Sequence, residues 1–133
     1  GSFAFYGCRS LLSVVLHNGL ITVGESAFEE CTHLTEISFP NSVTSIGESV
    51  CKNSIRLEKA VWSSNCATVS DNAFYGCSAL ADVTLPEGVI NIGSYTFYAC
   101  LFDSFTIPES LREIRSYAFC GNNSDKCKKC VNW

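Results

Sequence analysis

An internal repeat constrains this chain more than any other feature. A unit that recurs at a fixed step must build the same local structure each time and bury its apolar face against its neighbours. The pair Ala-Phe occurs as Ala4-Phe5, Ala27-Phe28, Ala73-Phe74 and Ala118-Phe119, and Val50-Cys51 and Thr96-Phe97 fill the gaps. The second members stand at 5, 28, 51, 74, 97 and 119, so the steps are 23, 23, 23, 23 and 22 residues.

Other positions fall into the same frame. Cys8, Cys31, Cys77 and Cys100 follow the aromatic anchor by three, with Ser54 and Asn122 in the remaining slots. Leu11, Leu34, Leu57 and Leu80 come next, then Val14, Ile37, Ala60 and Val83, then Leu16, Phe39, Trp62 and Leu85. Pro40 and Pro86 close that run. One residue is missing after Cys100, so Phe102, Phe105, Ile107 and Pro108 take their slots one place early.

The rhythm within a unit changes once. Val23, Ala27, Phe28 and Cys31 are spaced by four, one and three, which predicts one face of a short helix. Ile37 and Phe39 are spaced by two, a strand period, and Pro40 lacks the donor that would extend a ladder. Gly24, Gly47 and Gly93 suit a tight corner before the next helix, whereas Ser70 and Arg115 break that rule. Repeat three is the degenerate unit, with Cys51, Ser54, Ala60, Trp62, Ser63 and Cys66 in place of the common residues. A large Trp62 beside the small Ala60 and Cys51 suggests compensating volumes, and this unit is expected to be the weakest joint.

The motif I-G-x-x-A-F-x-x-C-x-x-L-x-x-I-x-[LF]-P-x-x-V-x-x-I, seen best in residues 23–46 and in Ala73 through Ile92, resembles the BspA-like leucine-rich repeats, also called the Treponema pallidum type. The resemblance covers residues 3 to about 121, and the cysteine content and small size fit a treponemal member. Periodicity and resemblance together predict an α/β repeat solenoid, a right-handed coil with short parallel strands on its concave face and short helices on its convex face. The solenoid occupies 1–121 in about five repeats of 23 residues, and 122–133 form a Cys/Lys-containing tail. Relatives of this type are mostly surface or secreted proteins implicated in adhesion. The resemblance therefore implies a non-enzymatic module that binds a protein or glycoprotein, such as a host matrix protein, at the cell surface or in secreted form. A self-associating scaffold of the cell envelope, periplasmic in location, is the alternative.

Strand alternation predicts which side chains line the concave face. One row is Ser13, Glu36, Lys59, Asp82 and Ser104; another is Val15, Ser38, Val61, Thr84 and Thr106; a third is Leu12, Thr35, Glu58, Ala81 and Asp103. The candidate binding residues are Leu12, Val15, Glu36, Ser38, Lys59, Val61, Asp82 and Thr84. Exposed aliphatics among them suggest a contact surface, although single exposed aliphatics are ordinary. Tyr6, Tyr75 and Tyr98 fall on the convex side, where packing is favoured over ligand binding. Gly1-Ser2 reads as a cloning remnant, with the native start upstream. Residue 3 enters in mid-repeat without a polar cap, so the expectation is a longer protein, or pairing with a second copy through that end face or through the apolar first strand with Leu12 and Val15.

Chemistry is read mostly from what the spacing lacks. There is no G-x-S-x-G, H-E-x-x-H, P-loop or dinucleotide fingerprint, so no catalytic residue and no cofactor is assigned. His17 and His33, the two histidines, stand near no nucleophile in the frame and read as solvated. The nine cysteines are an odd number, and the periodic ones point inward as free thiols, since parallel stacking holds their Cβ atoms too far apart for a disulfide. Cys127 and Cys130 form C-x-x-C, with Cys120 as a third neighbour and no fourth zinc ligand, so no metal is assigned. A local disulfide or a frayed tail remains for this pair, and Lys126, Lys128 and Lys129 would favour its thiolates. Asn122-Asn123-Ser124 is a sequon with meaning only in a eukaryotic secretory route. A net charge of −4 argues against a nucleic-acid partner, and no apolar run reaches the ~20 residues of a transmembrane segment.

Overall fold

A computed structural model of the chain describes residues 1–102 and 105–121. Eight strands of two or three residues recur along it: β1 Thr22–Val23, β2 Glu36–Ser38, β3 Ser45–Ile46, β4 Lys59–Val61, β5 Thr68–Val69, β6 Asp82–Thr84, β7 Asn91–Ile92 and β8 Glu113–Ile114. Each pairs in parallel with its counterpart one repeat away, as Glu36 with Lys59, Lys59 with Asp82 and Thr22 with Ser45. The first strand type forms the ladder β2-β4-β6. The second forms β1-β3 and, separately, β5-β7-β8. The result is a parallel-strand solenoid.

The convex helices expected from the four-one-three spacing are not there: no helix occurs among the described residues. The reason lies in where the backbone donors go. In repeat two, Ser26, Phe28 and Glu30 donate across to the carbonyls of Glu48, Val50 and Lys52 at 2.7–2.9 Å. The intervening Ala27, Glu29 and Cys31 donate three residues back, to Gly24, Ser26 and Phe28, at 3.2–3.4 Å. Repeat four does the same, with Asn72, Phe74 and Gly76 donating to Ser94, Thr96 and Tyr98. Two left-handed residues per unit make this alternation, at Ser26 and Glu30, Ser49 and Asn53, Asn72 and Gly76, Tyr95 and Ala99, and Tyr117 and Gly121. A left-handed residue terminates an α-helix. Tandem turns thus place the same residues inward as a helix would, while half of their donors bind the next coil.

The corner glycines act by close approach. A Cβ on Gly47 would stand against the Glu25 backbone nitrogen and 2.7 Å from its Cα. Where repeat three has Ser70 instead, its hydroxyl donates to the Gly47 carbonyl at 2.9 Å. Other polar residues in apolar or proline slots are likewise satisfied, Ser63 by donating to Val43 O at 2.6 Å and Thr96 to Gly93 O at 2.7 Å.

One apolar core runs through the stack, from Val23 to Phe119. Its anchors stack as Phe5 on Phe28, at 5.3 Å between centroids, and Phe74 on Phe97, at 5.6 Å. Between the two pairs stands Cys51, which contributes no ring. Trp62, from the neighbouring strand slot, fills that space and meets Phe39 and Phe74 edge-on at 5.2 and 5.8 Å. The compensation is incomplete: buried Trp62 Nε1 reaches no oxygen acceptor and is left with the Cys66 thiol beside it. The second ladder also breaks here: β3 and β5 belong to different sheets. A cavity of about 310 Å³ opens between them, lined by Thr44, Ile46, Cys66, Thr68 and Ser70.

Coupling between Cys51 and Trp62 is directly measurable. Trp62→Leu alone should cost about 2–4 kcal/mol through the void it leaves. Cys51→Phe alone should cost about 1–3 kcal/mol by overpacking. The double variant restores the common pattern and should recover at least about 1 kcal/mol of the summed loss in a denaturation cycle, whereas additivity would show that the two sites do not share space.

Candidate functional site

Alternation within β2, β4 and β6 turns Ile37, Ala60 and Val83 toward the core and their neighbours outward. The register then lines up Glu36, Lys59 and Asp82 as one exposed row and Ser38, the half-buried Val61 and Thr84 as a second. The first row alternates in sign, yet its members form no ion pair with one another; the described ion pairs are Arg9–Glu30 and Arg115–Glu113, both at 3.4 Å. Opposite charges facing water are worth little to the fold and remain available to a partner.

A cavity of about 230 Å³ opens on this face, lined by Val14, Glu36, Ile37, Ser38, Lys59 and Val61. Four of the eight residues singled out from sequence therefore meet around one hollow. Asp82 and Thr84 lie exposed on the adjacent strand, and Leu12 and Val15 are 65% and 75% exposed on the first coil. Val14 and Ile37 are the lining members that sequence reading assigned to the core instead, and only Val14 departs from that assignment. The period places it inward beside Ile37, but Ser13–Val15 do not join the ladder, and the contact to β2 is a single long bond from Thr35 N–H to Leu12 O at 3.4 Å. Val14 is consequently only half-buried. Nothing in its own sequence marks that loss of pairing.

Cys8, Cys31 and Cys77 are free thiols, and the buried cysteines of this column are hydrogen-bond donors rather than mere small apolar fillers. Cys31 donates to Phe5 O at 3.2 Å, Cys77 to Cys51 O at 3.0 Å and Cys100 to Phe74 O at 3.3 Å, each 26 residues back. Ser54 does the same to Phe28 O at 2.8 Å, which explains why serine stands in for cysteine there. Each of these carbonyls also accepts the N–H three residues on, as Phe28 O does from Cys31 and Cys51 O from Ser54, so both lone pairs are used. Burial pushes the Cys77 thiol up to about 12 and the Cys31 thiol to about 11, and lifts Cys51 and Cys66 above their ordinary 9.0. Such thiols are poor nucleophiles and poor metal ligands at neutral pH. His17 is exposed, and His33 is half-buried with Nδ1 3.4 Å from Thr32 Oγ1. No group of three or more metal-ligating side chains occurs among the described residues. Cys127 and Cys130, their lysines, the Asn122 sequon, Asp103 and Ser104 lie outside the described residues.

A parallel solenoid with this frame and an open strand face defines a repeat protein of the leucine-rich class. The model of the BspA type leucine-rich repeat region matches residues 1–126 in six copies, and the chain belongs to that family. It is similar to a solved leucine-rich repeat protein of T. pallidum, at 28% identity and a TM-score of 0.69 over 74% of this chain and 46% of that one. A leucine-rich repeat protein of Eubacterium ventriosum matches at 26% and 0.72, over 91% and 39%. A leucine-rich cell surface protein of Faecalibacterium prausnitzii shares the fold at 23% and 0.75, over 90% and 34%. The chain thus spans less than half the length of each. A search of curated proteins gave no match. Repeats of this family generally serve as protein-interaction modules, and none of the matches indicates a catalytic family. No described helix is long and apolar enough to cross a membrane.

The buried thiols give stability a pH dependence of definite sign. Below pH 9 the Cys77 thiol is neutral in both folded and unfolded chains. Between 9 and about 12 the unfolded chain loses this proton first, so stability falls as pH rises. At pH 10 the loss from one such thiol is about 1.4 kcal/mol. Cys77→Ser, which keeps a donor in a slot where Ser54 already works, should flatten the fall between pH 8 and 10 by about 1 kcal/mol in urea titrations. Parallel curves would show that Cys77 ionises normally in the folded chain.

Proposed function

We propose that the chain is a non-enzymatic binding module that engages a protein or glycoprotein partner through the β2-β4-β6 face, at the cell surface or in secreted form. The observation that carries this reading is the hollow of about 230 Å³ framed by Glu36, Ser38, Lys59 and Val61 on a strand face whose charged row forms no internal ion pairs. The hollow is large enough to take an apolar side chain against Val14, Ile37 and Val61, while Glu36 and Lys59 supply polar contacts at its rim. Asp82 and Thr84 extend the same face, and Leu12 and Val15 flank it. The cell surface description of the F. prausnitzii relative supports the location, and the family resemblance is what suggests host matrix proteins as the partner to test. A periplasmic scaffold is the alternative placement.

Binding to an immobilised panel of extracellular matrix proteins and host-cell extract tests the reading. Lys59→Glu with Val61→Asp should weaken saturable binding at least about tenfold, a loss of about 1.4 kcal/mol, while far-UV circular dichroism stays native. Saturable binding unchanged by the pair would remove this face from the reading.

A second reading, self-association, rests on the exposure of Leu12 and Val15. Sedimentation of Leu12→Lys/Val15→Lys beside wild type tests it. An oligomer of wild type that the variant dissolves supports it, and two micromolar monomers defeat it.

A further inference from the structure

Four of the five tyrosines crowd onto the turn side of the last coils: Tyr75, Tyr95, Tyr98 and Tyr117. They fall in two columns of the repeat. Tyr75 and Tyr98 follow the aromatic anchor by one and stack at 4.8 Å with 11° between planes. Tyr95 and Tyr117 precede it by two and stack at 5.1 Å with 22°. The equivalent positions in earlier coils hold Phe3, Ser26, Ser49 and Asn72, so the second pairing occurs only at this end.

We infer that Tyr95 and Tyr117 form an oxidative coupling site, at which a peroxide-consuming haem peroxidase joins the two rings into a dityrosine staple between successive coils. Three observations carry it. Both backbones are left-handed, at φ 57° and 60°, so the two side chains leave the coil in the same direction. The Tyr95 N–H donates to Ser116 O at 3.1 Å, which holds the two segments at ladder spacing, ~4.7–4.9 Å between neighbouring strands. The rings are open to an oxidant, with Tyr95 37% and Tyr117 58% exposed. The Tyr75–Tyr98 pair is half-buried, and the Lys52 ammonium sits 5.3 Å from the Tyr75 ring, where its charge opposes loss of an electron.

The chemistry balances. Each phenol gives up one electron and one proton to become a phenoxyl radical. The radicals combine through ring carbons ortho to their oxygens, and the hydrogens on those carbons move to the oxygens to restore two phenols. The protein loses two hydrogens, and one hydrogen peroxide is reduced to two waters. The new bond ties together coils separated by 22 residues, on the turn side of the stack.

Full-length protein, with accessible thiols first alkylated, is treated at low micromolar concentration with horseradish peroxidase and hydrogen peroxide. The expected product is a monomer lighter by two hydrogens, with dityrosine fluorescence and a peptide map joining residues 95 and 117. Tyr117→Phe and Tyr95→Phe keep the stacked ring and should each reduce that monomeric product at least tenfold, while Tyr75→Phe/Tyr98→Phe leaves it unchanged. Protein unfolded in urea should lose it too, which ties the reaction to the folded geometry. Undiminished product in Tyr117→Phe, product found only in covalent dimers, or no coupling in wild type overturns the inference.

Discussion

Everything in this molecule depends on backbone donors reaching across to the neighbouring coil. On the turn side the bonds run from Ser26, Phe28 and Glu30 forward to Glu48, Val50 and Lys52. On the second ladder they run the other way, as from Thr44 to Ile21 and from Gly47 to Val23. A single coil has no partner for these groups, and unpaired buried donors are costly. The left-handed backbone at non-glycine positions costs about 1 kcal/mol or more at each. It persists because it aims these donors outward along the stack. Carbonyls with two lone pairs then let the Cys/Ser column add a third kind of inter-coil bond.

Much of this was legible before any coordinates. The step of 23, the strand alternation and the inward positions follow from residue periods alone, because burial imposes them. The turn side was misread for a physical reason. Spacing of four, one and three records which residues face the core, and tandem turns satisfy it as well as a helix does. What separates the two is backbone handedness. Its trace in the sequence was the column Gly7, Glu30, Asn53, Gly76, Ala99 and Gly121, where glycine and asparagine mark left-handed conformation only in part. Glu30 and Ala99 hide it. Alternation also turned Glu36, Lys59, Asp82, Ser38 and Thr84 outward, with Val61 half-buried, but it could not place the hollow. That hollow exists because Val14 fails to pair, which depends on how the first coil sits against β2.

Repeat three shows how the core tolerates irregularity. The frame asks for a ring at position 51 and a leucine at position 62; the chain supplies a thiol and an indole. Volume is conserved across the two slots, so the core remains continuous. Hydrogen bonding is not conserved, and Trp62 Nε1 is left with only the Cys66 thiol beside it. The tertiary frame thus constrains summed volume more tightly than identity at any one position.

The gap between β3 and β5 has a mechanical meaning. In a stack whose coils touch only their neighbours, tension along the axis passes through every joint in series. The joint with the fewest backbone bonds therefore takes the largest strain. Between Thr44 and Thr68 the second ladder is interrupted, so a load applied through the ends reaches the next coil through the β2-β4 pairing and the turn-side bonds, and parting the coils there would split the β2-β4-β6 face in two.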